Sequence, residues 1–302
     1  MNKSFTLIEI LVVIVVIGVL SAFILVGMSS ITSSANIAKS QAFLNSIDNS
    51  LLLSRVSEWK LDDRPTIAPF TISDSWGTNT GTLMDVDGNC STTKCPQLVT
   101  SGCTSGNCLS FDGIDDYVNL GTVTDIRNIS FSISLWVKSG GYRNQGSQYN
   151  VILADGNTNG SFDTFAFFIR SDDSLYGGIE HCVGSTAHYA PSILNTWVHV
   201  VGVRNLGNST LTMYVNSVAQ TPVSSGTLEE TSPFYIGRDT ASTRYWTGKI
   251  DDVRVYNAAI PTSEIQQNYF IGLNNLLSSN GINGGEYVAK ITELRNNISK
   301  GY

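Results

Sequence analysis

At 302 residues with only 14% charged, the chain can hold a stem and one large globular domain, or two small ones. Its 25 acidic against 18 basic residues give a formal charge of −7, which argues against a broad basic face for nucleic acid. Twenty-seven glycines among plentiful Ser, Thr and Asn point to an exported, turn-rich β protein rather than a helical cytosolic enzyme. The first element is an apolar run from Phe5 to Met28, long enough to span a bilayer, with Glu9 near its start. A carboxylate in a membrane helix costs about 2.5–3.5 kcal/mol even on lenient insertion scales. A plain anchor has no use for it, and an ordinary signal peptide has a shorter apolar core.

The stretch Phe5-Thr6-Leu7-Ile8-Glu9, followed by apolar Ile10 to Ile17 and Gly18, resembles the N-terminus of type IV pilins and pseudopilins. The resemblance implies a prepilin peptidase that cuts between Ser4 and Phe5 and methylates Phe5. It also implies that Glu9 serves assembly, meeting the new amine of a neighbouring copy in a staggered stack. Two departures stand out: Ser4 replaces the usual Gly, and Phe23 to Gly27 lacks the Pro common in major pilins. Local melting of the stem would then rely on Gly18 and Gly27. Beyond Ser29, the segment Ile31 to Val56 turns amphipathic, with Ile37, Phe43, Leu44, Ile47, Leu51 and Leu52 at roughly helical spacing. A stem of about 50 residues would be about 75 Å long.

Next comes a Gly/Ser/Thr-rich loop holding Cys90, Cys95, Cys103 and Cys108, with Cys182 alone later. Export favours disulfides, and four cysteines allow three connectivities. The local pairs Cys90–Cys95 and Cys103–Cys108 are preferred over a zinc site, whose usual Cys pairs sit closer together. Cys182, beside His181 and near His188, reads as a buried thiol rather than a metal ligand. From Glu58 onward, short alternating runs separated by turns predict an antiparallel sandwich. They include Ser130 to Val137, Val151 to Leu153, Phe165 to Arg170, Trp197 to Arg204, Thr210 to Val215, Phe234 to Gly237 and Ile250 to Tyr256. Helix returns at Thr262 to Leu277 and Glu286 to Ile298.

Several short motifs resemble the laminin-G type of concanavalin A-like jelly roll. They are Trp59 to Asp63, Asp74 to Leu83, Leu109 to Gly113 with Asp116 to Val118, Ser132 to Val137, Trp197 to Val200 and Gly248 to Tyr256. The expected fold is therefore α+β: a long N-terminal α-helix as membrane or filament stem, an antiparallel β-sandwich (jelly roll) and a short helical C-terminus. The expected boundaries are 1–4 for the leader, 5–56 for the stem (transmembrane 5–28), 57–272 for the head and 273–302 for a helical extension.

The resemblance implies calcium as a possible cofactor, because members of that family often bind it. Asp112, Asp115 and Asp116 share a Gly-containing turn, and Asp251 is in phase with Val253 and Val255, aimed at a core face. The alternative has these aspartates capping turns. Asp85 to Asn89 reads as a turn. Tyr142, Tyr149, Tyr176, Tyr189, Tyr245 and Trp246 are candidate sugar-stacking rings, none singled out. No strand carries the alternating carboxylates of a glucanase and no nucleophile motif is visible, so no enzymatic activity is expected.

Together these readings imply a type IV pilin-like filament subunit displaying a lectin-like head for surface adhesion or for binding a glycan or surface protein. Two alternatives share the stem: a pseudopilin of a secretion or DNA-uptake machine, and a membrane-tethered carbohydrate-binding protein that never polymerises. Expected partners are further copies, other pilins and the prepilin peptidase. The precursor is expected in the inner (cytoplasmic) membrane and the product at the cell surface or in an extracellular pilus.

Overall fold

The computed structural model describes residues 54–65, 68, 70–88, 90–91, 94–144, 146, 149–156, 165–179, 186–228, 233–240 and 244–300. The leader, Ser4, Phe5, Glu9, the stem to residue 53 and Cys182 lie outside them. Among the described residues, strands form two antiparallel sheets of nine and eight strands.

In chain order the first strands are β1 (Arg55–Trp59), β2 (Thr71–Ile72), β3 (Gly81–Met84), β4 (Gln97–Val99), β5 (Cys108–Asp112) and β6 (Tyr117–Gly121). Then come β7 (Phe131–Ser139), β8 (Asn150–Asp155), β9 (Phe165–Ile169), β10 (Leu175–Ile179), β11 (Thr186–Tyr189) and β12 (Trp197–Asn205). The last are β13 (Thr210–Val215), β14 (Val218–Ala219), β15 (Val223–Ser224), β16 (Phe234–Ile236) and β17 (Thr247–Tyr256), followed by helices α1 (Thr262–Ser278) and α2 (Gly284–Lys300). Sheet A runs β14-β13-β12-β7-β17-β5-β4, with β1 beside β17 and β15 beside β13. Sheet B runs β11-β10-β9-β8-β16-β6-β3-β2.

The alternation in sequence sets which side faces in. Phe131, Ile133, Leu135 and Val137 of β7 and Val198 and Val200 of β12 meet Phe165, Phe167 and Ile169 of β9 in the core between the sheets. Gly177 lets β10 approach that core closely, since a Cβ there would run into Phe167 and Met213. The opposite face of sheet A is not left to water. Trp136 and Trp197 pack with Tyr269, Leu273 and Leu276 of α1, Ile291 and Leu294 of α2, and Cys103 and Cys108. Gly272 brings α1 directly onto Trp136, whose indole fills the place a Cβ would take.

Two expected boundaries shift. Arg55 and Val56, placed in the stem by helical spacing, belong to strand β1, because the C-terminal half of β17 offers a ladder that Arg55 to Trp59 completes. Tertiary pairing overrides local propensity there. The boundary expected between 272 and 273 falls inside α1, which runs unbroken through both residues.

Candidate functional site

The outward face of sheet B carries a ladder of rings drawn from neighbouring strands. Phe168 on β9 is the register partner of Tyr176 on β10, which in turn pairs with His188 on β11. Phe168 and Tyr176 are stacked at 5.3 Å and 4°, and Tyr176 and His188 at 4.3 Å and 12°. Tyr149 closes on Phe168 edge-to-face at 4.9 Å. Val151, Ala154 and Ala166 form the small apolar floor. The Arg170 guanidinium lies 4.4 Å from the Tyr176 ring centre and 5.2 Å from that of Tyr149, within cation–π range. Arg244 also lies over Tyr149, at 5.2 Å, while pairing with Asp239 at 2.8 Å. His188 is exposed, and Tyr149, Arg170 and Tyr176 are half-buried.

Of the six rings expected as sugar platforms, only Tyr149 and Tyr176 meet here. Trp246 and Tyr245 are buried. Tyr142 and Tyr189 pack against the core. Phe168, Arg170 and Arg244 are not among the sequence candidates, and His188 enters there only as a neighbour of Cys182. One signal was available: Phe165-Ala166-Phe167-Phe168 is apolar on both phases, so its outward side is not an ordinary solvent face.

A second cluster sits in the turn joining β5 and β6. Asp112, Asp115 and Asp116 each put a carboxylate oxygen within 4.8 Å of the others. Asp112 Oδ1 accepts from the Ile114 N–H at 2.7 Å, and Asp116 Oδ2 from the Asp112 N–H at 2.9 Å. Gly113, at φ 74°, makes the tight turn, and a side chain there would overlap Thr247. Burial pushes the Asp116 carboxyl up to about 7, with the charges of Asp112 and Asp115 adding to the rise against the N–H groups of Asp112 and Cys95. Asp115 is raised as well, by burial and then by Asp112 and Asp85. A divalent cation would relieve such crowding. The remaining carboxylate oxygens supply part of the six to eight that calcium takes, leaving carbonyls or water to complete the shell.

Asp251 does not join that cluster. Its strand neighbour Thr247 is the register partner of Asp112, which puts Asp251 four residues, about 13 Å, further along β17. It also faces the other way from the sequence expectation. Asp251 pairs with Trp136 and Arg254 with Ser134, so three steps on β17 span two on β7. The extra residue is Asp252, at φ 53°. This bulge flips the phase, leaving Ile250, Val253 and Val255 in the core and Asp251 on the outward side with Trp136. There, fully buried, Asp251 Oδ2 accepts from Thr104 N (2.7 Å), Thr104 Oγ1 (2.6 Å) and Ser105 N (3.0 Å). Burial holds its carboxyl well above the ordinary range. Asp251 thus fastens the loop closed by the Cys103–Cys108 disulfide, and a second disulfide joins Cys90 to Cys95. Trp197 Nε1 and Ser279 Oγ hold the same loop through Gly102 O and Cys103 O.

Residues 112–266 match the family model described as the concanavalin A-like lectin/glucanases superfamily, and residues 1–25 match the prokaryotic N-terminal methylation motif. No curated protein matches the chain. Among solved structures, domain 4 of AbnA, a GH43 extracellular arabinanase from Geobacillus stearothermophilus, in complex with arabinotriose, aligns at TM-score 0.52 and 16% identity, over 72% of this chain and 98% of that one. The receptor binding domain of botulinum neurotoxin D aligns at 0.54 and 14%, over 74% of this chain and 54% of that one. Trypanosoma rangeli sialidase in complex with the inhibitor DANA aligns at 0.53 and 13%, over 70% and 32%. The chain thus spans nearly all of the first, about half of the second and a third of the third. At these identities the likeness is one of fold.

Proposed function

The chain belongs to the concanavalin A-like lectin/glucanases superfamily, and on that basis we propose that it is a type IV pilin-like filament subunit whose jelly-roll head binds glycans at the outward face of sheet B. The methylation motif supports processing by a prepilin peptidase, assembly with further pilins and display at the cell surface. The observation that carries the binding site is the inequality of the two outward faces. Sheet A is covered by α1, α2 and the Cys103–Cys108 loop. Sheet B presents Tyr149, Arg170, Tyr176 and His188 without a covering element among the described residues. A convergence of rings and polar groups on one face is what a sugar-binding surface needs.

The role proposed is recognition, not catalysis. The clustered carboxylates lie in the β5–β6 turn, and Asp112 and Asp116 are engaged with backbone N–H groups there. In this reading the turn is a calcium site that stiffens the end of the sandwich. A glycan array probed with the full chain in detergent tests the proposal. Binding that weakens at least about tenfold in His188→Ala or Tyr176→Ala is expected, as for loss of a central contact residue. An array on which the chain retains no glycan, or on which both variants behave as the parent, would remove the site.

A further inference from the structure

We propose that the ladder on sheet B takes the carboxylate of an acidic sugar, a hexuronate or a sialic acid, with Arg170 as the anion-binding residue; this rests on the glycan-binding reading above. Phe168, Tyr176 and His188 are parallel to within 12° between neighbours and spaced 5.3 and 4.3 Å, close to the separation of adjacent strands. They therefore stand upright on the sheet and cover one another's faces. A neutral pyranose lies against a free ring face, which Tyr176, stacked between Phe168 and His188, does not offer. What the ladder turns outward are ring edges, the positive end of the aromatic quadrupole.

Arg170 brings a positive charge to the same face. The Arg170 side chain makes no hydrogen bond and no ion pair among the described residues, and its Nε is shut off from water without an acceptor. The neighbouring charges are committed. Arg244 is paired with Asp239. Asp172 Oδ1 accepts from Ser174 N and Oγ at 3.0 and 2.5 Å, and its charge lies near His188. A guanidinium with no counter-ion among the described residues is unusual in a chain with a net charge of −7. The Arg170 guanidinium carbon, 4.4 Å from the Tyr176 ring centre and 5.2 Å from that of Tyr149, is the positive charge an incoming group would meet at the ladder. A planar carboxylate meets the guanidinium fork with two parallel hydrogen bonds.

The test measures binding of the full chain in detergent micelles to trigalacturonate, its methyl ester, 3′-sialyllactose, lactose and dextran sulfate. Binding to at least one carboxylated probe about tenfold tighter than to its uncharged counterpart is expected, the scale of one charge-assisted contact. Preference in the first pair alone identifies a uronate, and in the second pair alone a sialic acid. Arg170→Gln should abolish the preference with the melting temperature unchanged, and Arg170→Lys should restore part of it. Equal binding of charged and neutral probes, a preference that survives Arg170→Gln, or binding confined to dextran sulfate overturns this inference while leaving glycan binding intact. No binding to any of these sugars, together with an empty glycan array, overturns the underlying reading.

Discussion

Arg254 Nε lies 2.7 Å from Glu58 Oε1, joining β17 to β1 across 196 positions of sequence. Both side chains are nearly buried, at 13% and 9% exposure, and Arg254 also pairs with Asp252 at 2.8 Å. Burial alone would raise the Glu58 carboxyl, but the charge and hydrogen bond of Arg254, with the charge of Arg55, bring it below its ordinary value. A carboxyl depressed in the folded state adds stability above its unfolded value of 4.5, and that stability is lost as pH falls through the lower folded value. Glu58→Gln should therefore cost about 1.5–3 kcal/mol at pH 7, the scale of one charge-assisted hydrogen bond, since Arg254 keeps Asp252. Urea titrations at pH 7 and pH 3 check this: the difference between parent and variant should shrink in acid.

Asp116 and Asp155 act in the opposite direction. Burial raises both to about 7. The folded state then holds protons that the unfolded chain has released, so stability should fall as pH rises from about 4 through 7. Asp116→Asn and Asp155→Asn should each flatten that decline in melting temperature. Calcium added at pH 8 should raise the melting temperature of the parent and of Asp155→Asn but not of Asp116→Asn, if the β5–β6 turn is the calcium site.

Gly272 tests the seat of α1. Gly272→Ala would drive a methyl into the Trp136 indole, which lies 5.6 Å from Tyr269 in a stacked arrangement. Overpacking of this kind costs about 1–3 kcal/mol. Chemical denaturation should show the loss, accompanied by a change in tryptophan emission. An unchanged midpoint would mean that α1 can slide without cost.

Replacing Cys103 and Cys108 by Ser should cost about 2 kcal/mol on the loop-closure model for so short a loop. The loop also keeps its hydrogen bonds to Asp251, so the loss should exceed additivity when combined with Asp251→Asn, because either fastening alone still holds the loop. A double-mutant cycle by denaturation measures the coupling.

For the stem, Glu9→Val should leave a membrane-held precursor that enters filaments poorly, while mass spectrometry of the parent should find methylated Phe5 as its first residue. Abundant fibres of Glu9→Val seen by electron microscopy would contradict the proposed pairing of Glu9 with a neighbour's amine.

Much of the sandwich was legible because burial writes a period of two into strands. Phe131 to Val137 and Trp197 to Arg204 fall where alternation put them, as β7 and β12. The helices after Pro261 are likewise readable from their apolar stripes. Strict alternation misplaces Asp251, because the bulge at Asp252 adds a residue that a period of two does not count. Its trace is there in hindsight: Ile250 and Val253 are three apart yet share the core. The ring ladder was half visible. Tyr149 and Tyr176 could be named from residue type, but their meeting with Phe168, Arg170 and His188 depends on the register of three strands, which composition cannot supply.

The placement of β1 bears on how the head would withstand tension. A pull transmitted along the backbone from residues before Ser54 reaches this short strand first. Its rungs Ser57↔Val255, Glu58↔Arg254 and Trp59↔Val253 tie it to β17, which is itself flanked by β7 and β5. Load drawn along the strand axis would strain those rungs and the Glu58–Arg254 contact together rather than one after another. Mechanical resistance would then be concentrated where the polypeptide enters the sandwich, leaving the ring-bearing sheet on the other side of the core undistorted.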